Sequence, residues 1–484
     1  MTLPAVNITE LDGALGILPA TAGRLLAFVG PATSGPLNTP AAFARTTDLV
    51  ANYGQGPTVE AAAHYIDAEG KPVVFVRTGN TTAGSADALV SVATGTSVVT
   101  LAASPTPNDD YDLVALIAAG GTVGSAGITY QLSYDNGRTY GPVTQLGTAN
   151  TITFGEAGGV VLDLAAGTLV AGDKFSVRTH APCWNTTELG AALDALKNST
   201  IAWEQAVIVG PVDGSAFDVI DPKFTGMATA GKYRSWIGAV RMPNAAESEA
   251  TYLAAMVSAV GSKASTHGAL CAGAAKIASG VNGRIYRRST LVAVASRSGA
   301  VAEHINIAAP NLGSLAGVSI RDDNGNVDEH DEAINPGLDD ARFITLRTHE
   351  GLDGVYITRP RLFSPSGSDF QIIPDRRVMN LALIALRAYF LRRLNAPVQV
   401  DKTTGYILPH EASEIELGAR AAMRAVLMAA PKASDVNFVL SRTDDIISTK
   451  TLTGTATITP LADPETINVN VGFINPALQL RAAA

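Results

Sequence analysis

The spacing of hydrophobic positions changes along this chain, and each change predicts a different kind of structure. Residues 1–23 mix small, polar and apolar types around Pro4 and Pro19, with neither a helical stripe nor a clean strand, which predicts an extended arm. At Leu25 the run LLAFVG is continuously apolar and stops at Gly30, as a strand buried on both faces requires. Ala41 to Tyr53 and Val59 to Asp67 read as helices, and Val73 to Val76 repeats the buried-strand pattern. Strand, helix, helix, strand predicts an α/β layer.

Between Thr81 and Thr179 the helical period disappears. SVVTLA, YDLVALIA, ITYQLSYD, NTITF, GVVLDL and KFSVRT are short strand candidates separated by Gly, Asn, Asp or Pro. Asp135-Asn136-Gly137 predicts a hairpin turn, because that turn needs positive φ. The block predicts an inserted β-sandwich or barrel of about 100 residues, within the usual domain range. Helical spacing returns at Thr187 to Asn198 and Ala246 to Lys263, with strands at Ala206 and Ser235. The apolar runs LCAGAA, LVAVAS and INIAAP read as further sheet, and the acidic tract Arg321 to Glu332 as a polar loop.

The final third predicts two helices and two strands. In Pro374 to Leu394, Val378, Leu381, Ala382, Ala385 and Tyr389 share one face while Leu383, Leu386 and Phe390 cover much of the rest, so enclosure is expected. Pro374 suits a first helical position. Ser413 and Glu416 form a capping box that predicts the start of the second helix, with Arg420 and Arg424 further along and Pro431 beyond its stop. Thr451, Thr453, Thr455, Thr457 and Thr459 then alternate with Leu452, Ala456 and Ile458. The same period continues at Ile467, Val469, Val471 and Phe473. An apolar strand at a chain end must pair with its own sheet or with another subunit's, so strand donation between copies is expected.

The expected fold class is an α/β (α+β) core of mixed sheets flanked by helices, with an inserted all-β domain and extended arms at both ends. The corresponding divisions are 1–23, 24–80, 81–181, 182–455 and 456–484. At 484 residues the chain has room for two or three domains, and 46% hydrophobic with 16% charged residues is globular. A net charge of −9 argues against coating nucleic acid, since phosphate binding needs clustered Lys and Arg. Cys183 and Cys271 lie outside any metal-ligand spacing and read as two reduced thiols. MTLPAVNITELDG lacks the basic start and apolar block of an export signal. LALIALRAYFL is interrupted by Arg387 and flanked by arginines, so no membrane insertion is expected.

Candidate chemistry is sparse. Gly226, Gly231 and Lys232 meet the spacing of a phosphate loop, but Tyr233 replaces the Ser or Thr that would hold magnesium, and a helix end or turn is the simpler reading. No Gly-x-Ser-x-Gly elbow occurs, and His349-Glu350 and His410-Glu411 lack a second His four residues on. The Asp322 to Glu332 tract lacks the alternating ligands of a calcium loop. Tyr130, Tyr134 and Tyr140 could serve a carbohydrate-binding insert if exposed, and are equally good core residues. No catalytic, cofactor-binding or metal-binding residue is expected.

LLAFVGPATSGPLNTP, LVANYGQGPTVEAAAHYI and KPVVFVRTG resemble, in that order, the opening of contractile-phage tail sheath proteins. TLRTHEGLDGVYITRPRLFSPSGSDFQIIPDRRVMN and the ending from DIISTKTLTGTATITP through PETINVNVGF are similar to the same family. The resemblance implies a structural subunit that polymerises as helical rings around an inner tube, contracts, and drives the tube through the host envelope for genome ejection. It implies a virion tail assembled in the host cytoplasm, with further copies, the tube protein, and baseplate and terminator proteins as partners. It places the core inward, the β insert outward, and Ile467, Val469, Val471 and Phe473 in the donated strand. Arg420 and Arg424 are candidates for a tube-facing surface. A genome-free injection particle of the tailocin kind is the alternative, followed by a nucleotide-dependent enzyme using Gly231 and Lys232.

Overall fold

The computed structural model describes residues 25–245, 247–322 and 324–473, so the expected arm at 1–23 lies outside them. The fold is mixed α+β and separates into two compact units, Met1–Ala396 and Pro397–Ala484.

A six-stranded sheet organises the larger unit. It contains β1 (Leu25–Gly30), β2 (Ala41–Phe43), β3 (Val73–Arg77), β9 (Trp203–Pro211), β10 (Ser235–Ala239) and β11 (Gly268–Cys271), in the order β11-β10-β9-β1-β3-β2. All neighbours are parallel except the edge strand β2. Alternate side chains of β1 enter two different cores. Leu26 and Phe28 pack with residues of α1 (Thr46–Tyr53), α2 (Pro57–Glu69) and α6 (Leu291–Ala300). Leu25, Ala27 and Val29 pack with α3 (Thr186–Asn198), α4 (Gly214–Thr229) and α5 (Glu249–Val260). The unbroken apolar runs follow from this cover on both faces.

Four local expectations change. Ala41 to Phe43 is strand, because it pairs with the edge of β3, and only Thr46 onward is helical. LVAVAS is the helix α6, since a short run of small apolar residues fits a buried helix as well as a buried strand. INIAAP forms turns, and α5 starts at Glu249 with Ser248 as its cap. Helix α4 went unread because Pro222 and Gly226 look like breakers, yet Phe217, Ile220, Phe224 and Met227 line up on one buried face.

Between β3 and α3 the chain is all β. The antiparallel strands β4 (Asp112–Ala119), β5 (Thr129–Ser133) and β8 (Lys174–His180) face β6 (Thr151–Phe154) and β7 (Gly158–Leu164) across a core containing Ile117, Phe154, Leu162 and Phe175. Asn136 and Gly137 both have positive φ, as the turn required. This region is tied to the strand pair β12 (Ala274–Ala278) and β13 (Ile285–Ser289). Tyr286 enters its core, and Arg288 makes two 2.9 Å hydrogen bonds to the carboxylate of Asp109. Arg288 and Asp109 are 5% and 1% exposed, so the pair has little access to water. Burial pushes the Asp109 carboxyl upward, and the guanidinium opposes that shift.

Candidate assembly surfaces

The smaller unit is a helix under a hairpin. Its helix, α8 (Pro409–Leu427), carries a buried stripe at Ala412, Ile415, Ala419, Met423 and Leu427, the spacing of one helical face. On that stripe lies the strand pair β14 (Asp435–Leu440) and β15 (Gly454–Thr459). Val436, Phe438 and Leu440 are buried while Asp435, Asn437 and Val439 are exposed, an alternation expected of a sheet covered on one face. Gly454 is required by close approach: a Cβ there would lie 2.3 Å from the Phe438 ring.

Helix α8 begins a turn before the expected capping box. Pro409 takes its first turn, and Ser413, now inside the helix, donates its hydroxyl to the Pro409 carbonyl at 2.8 Å. Proline's fixed φ makes Pro409 the earlier start. Glu416 therefore has a different task. Its side chain is buried in the apolar stripe, where Oε1 accepts the Leu440 N–H at 2.8 Å and Oε2 accepts Arg442 at 3.0 Å. Arg420 also reaches Oε2, at 3.5 Å. One carboxylate thus fixes the end of β14 onto the helix. Arg424 is 3.9 Å from Asp435, with 60% of its side chain exposed. Arg420 and Arg442 therefore meet at Glu416, beside the end of β14, while Arg424 lies beside its start.

After Pro460 the chain continues without secondary structure as far as Phe473. Ile467, Val469, Val471 and Phe473 are 75%, 73%, 91% and 110% exposed, and among the described residues none of them pairs with a strand. Nor does any third described strand pair with β14 or β15, so both edges of that sheet present unpaired backbone groups.

The other candidate motifs resolve into local structure. The Gly226 to Lys232 stretch is the C-terminal end of α4: Gly231 has φ +77, the Lys232 N–H bonds the Met227 carbonyl, and its ammonium caps the Lys197 carbonyl. Phosphate is held at helix N-termini, where N–H groups point outward, so this end has the wrong polarity. Asp322 spends its carboxylate on Asn324 and Asn326 within its own turn. Among the described residues no group of three or more His, Cys, Asp or Glu could hold a metal ion, and no helix is long and apolar enough to cross a membrane. Cys183 and Cys271 are buried and unbonded, and burial pushes the Cys183 thiol up to about 12. Tyr134 is buried against Tyr111 and Phe154, while Tyr130 and Tyr140 are half-buried, leaving no exposed tyrosine platform.

Sequence reasoning missed Glu204, Arg377 and Asn380. In β9, Leu25 pairs with Trp203 and Leu26 with Gln205, so Glu204 is an extra, bulged residue. The buried side chain of Arg377, from α7 (Ile373–Leu391), donates to Glu204 at 2.9 Å and to the Ser298 carbonyl at 2.9 Å. A Glu next to the apolar run QAVIVG was the available signal, since a charge beside a buried strand needs a partner.

In fold the chain is similar to solved chains of contractile assemblies. A structure described as an extracellular contractile injection system, PVC sheath complex in the contracted state, superposes with TM-score 0.50 at 10% identity, covering 99% of each chain. A chain of the anti-feeding prophage baseplate gives TM-score 0.50 at 10% identity, covering 98% of this chain and 100% of that one. The sheath tail protein from Listeria innocua gives 0.44 at 11% identity, covering 91% and 96%. No curated protein sequence matches the chain. Residues 3–361 match the family model described as DUF2586, N-terminal domain, and the chain belongs to that family.

Proposed function

We propose that this protein is the structural subunit of a contractile sheath, whose copies stack as helical rings around an inner tube and drive it through a cell envelope on contraction. The observation that carries this reading is a fold similar to that of a contractile sheath complex, whose C-terminal unit leaves both sheet edges unpaired among the described residues while the following chain exposes alternating apolar side chains. Residues 461–473 of one copy then add to the β14–β15 sheet of the next. The expected arm boundary at 455/456 falls inside β15, so the donated segment starts after Thr459. Residues 1–23 form the second arm, the α/β layers face inward and the all-β region outward.

In this role the work of contraction comes from a difference between two packings of the same subunits, and the protein needs no catalysis. Arg420 and Arg424 face the tube, and baseplate and terminator proteins close the ends. The particle is a phage tail assembled in the host cytoplasm. A genome-free injection particle is the second reading, favoured by the injection-system and prophage descriptions of the two structures at TM-score 0.50. A capsid gene beside this one separates the two. Negative-stain microscopy of the chain, alone and with its tube protein, tests the role itself. Hollow rings or tubes are expected; monodisperse particles under both conditions would contradict it.

A further inference from the structure

Only the first half of α7 is enclosed, contrary to the expectation from its apolar pattern. Its buried residues stop at Ala382, and Ile384 is 38% exposed. A groove runs beside the second half. Asn380, Ile384, Leu386 and Phe390 form one wall, and Trp203 and Tyr233 stand on the other. It consists of hollows of 140 and 410 Å³ that share Tyr233. At the inner end Asn380 is 2% exposed, and neither its amide oxygen nor its amide nitrogen has a hydrogen-bond partner. Leaving one buried polar group unpaired costs about 1–3 kcal/mol, and here both ends of a carboxamide are unpaired. A carboxamide offers a donor and an acceptor side by side, which complements a backbone peptide group.

We propose that this groove seats residues 14–24 of the same chain, with a peptide group of that segment paired to Asn380. Three observations select the occupant. The first described residue of β1, Leu25, is paired with Trp203, which lines the groove. The reach suffices: Asn380 to Phe390 is about 15 Å of helix, and eleven extended residues can span up to about 36 Å. The chemistry agrees as well, since the apolar side chains of Leu386 and Phe390 line the groove and the segment carries Leu15, Ile17 and Leu18. Seated this way, residues 14–24 anchor the arm and set the direction in which residues 1–13 leave. The inference holds whether or not the chain polymerises.

The test places a photoreactive benzoylphenylalanine at position 233 of the full chain and irradiates a dilute mixture of isotopically light and heavy protein. Crosslinks from position 233 to residues 14–24, within light or within heavy chains only, are expected. Asn380→Leu should lower their yield roughly tenfold, the worth of one buried hydrogen bond. Light-to-heavy crosslinks would assign the groove to a second copy, and crosslinks confined to the groove walls would leave it to water; either overturns the proposal. So would an Asn380→Leu variant that melts higher with its crosslink yield unchanged.

Discussion

β1 lies between β3 and β9, and Ala27 and Phe28, on opposite faces, are both fully buried. β15 has one neighbour, β14, and exposes Thr455, Ala456, Thr457 and Thr459. What separates these strands is the number of layers around them. The large sheet has helices on both faces, so its apolar runs are satisfied within the chain. The small sheet has one helix on one face, and two strands are too few to be independently stable without such packing. A region that completes itself serves as a rigid body. A region that stops short, with an apolar segment next to it, is where the proposed strand donation between copies would act.

Truncating the large core gives the biggest effect. Trp236 is fully buried against Phe217 and Phe224, and Trp236→Ala should cost about 3–5 kcal/mol in denaturant unfolding. Asp109→Ala follows closely, because it leaves the Arg288 charge buried and unpaired; about 3 kcal/mol is expected, and the double variant with Arg288→Met should recover part of it. In the small unit, Glu416→Ala removes the acceptor of Leu440 and Arg442. A loss of about 2 kcal/mol is expected, with faster amide exchange confined to 409–459; exchange spreading into the large sheet would mean the units are not separate.

The last prediction is a pH dependence. Burial, assisted by Arg376, lowers His267 from 6.5 to about 4. Above pH 6.5 neither state binds the proton. Between pH 6.5 and 4 the unfolded chain takes up a proton that the folded one refuses, so stability falls with pH over that window. His267→Asn should flatten that part of the curve in melts taken from pH 7 to pH 4.

The sequence made the strands plain wherever both faces are covered or where side chains alternate. LLAFVG, KPVVFVRTG, the strands β4 to β8 of the all-β region and the Asn136-Gly137 turn all read correctly, because local pattern and tertiary environment agree there. It misled where a tertiary contact overrode a local signal. Pro409 preceded Ser413 as the helix start, Pro222 was carried by four buried apolar side chains, and LVAVAS took the helical option. The candidate assembly surface was half visible. The alternation at Ile467 to Phe473 marked an exposed, unpaired apolar segment, whereas Glu416 and Glu204 act through partners far away in the chain, which no single-sequence pattern reveals.

Cysteine trapping between copies tests the central claim most directly. The two native thiols are buried, so introduced cysteines can react alone. Chains carrying Val469→Cys are mixed with chains carrying either Asn437→Cys on β14 or Thr457→Cys on β15, and oxidised under assembly conditions. The account predicts disulfide-linked pairs between the two kinds of chain for one of the two edges. Mixed pairs absent at both edges, while the chain still assembles, would contradict it.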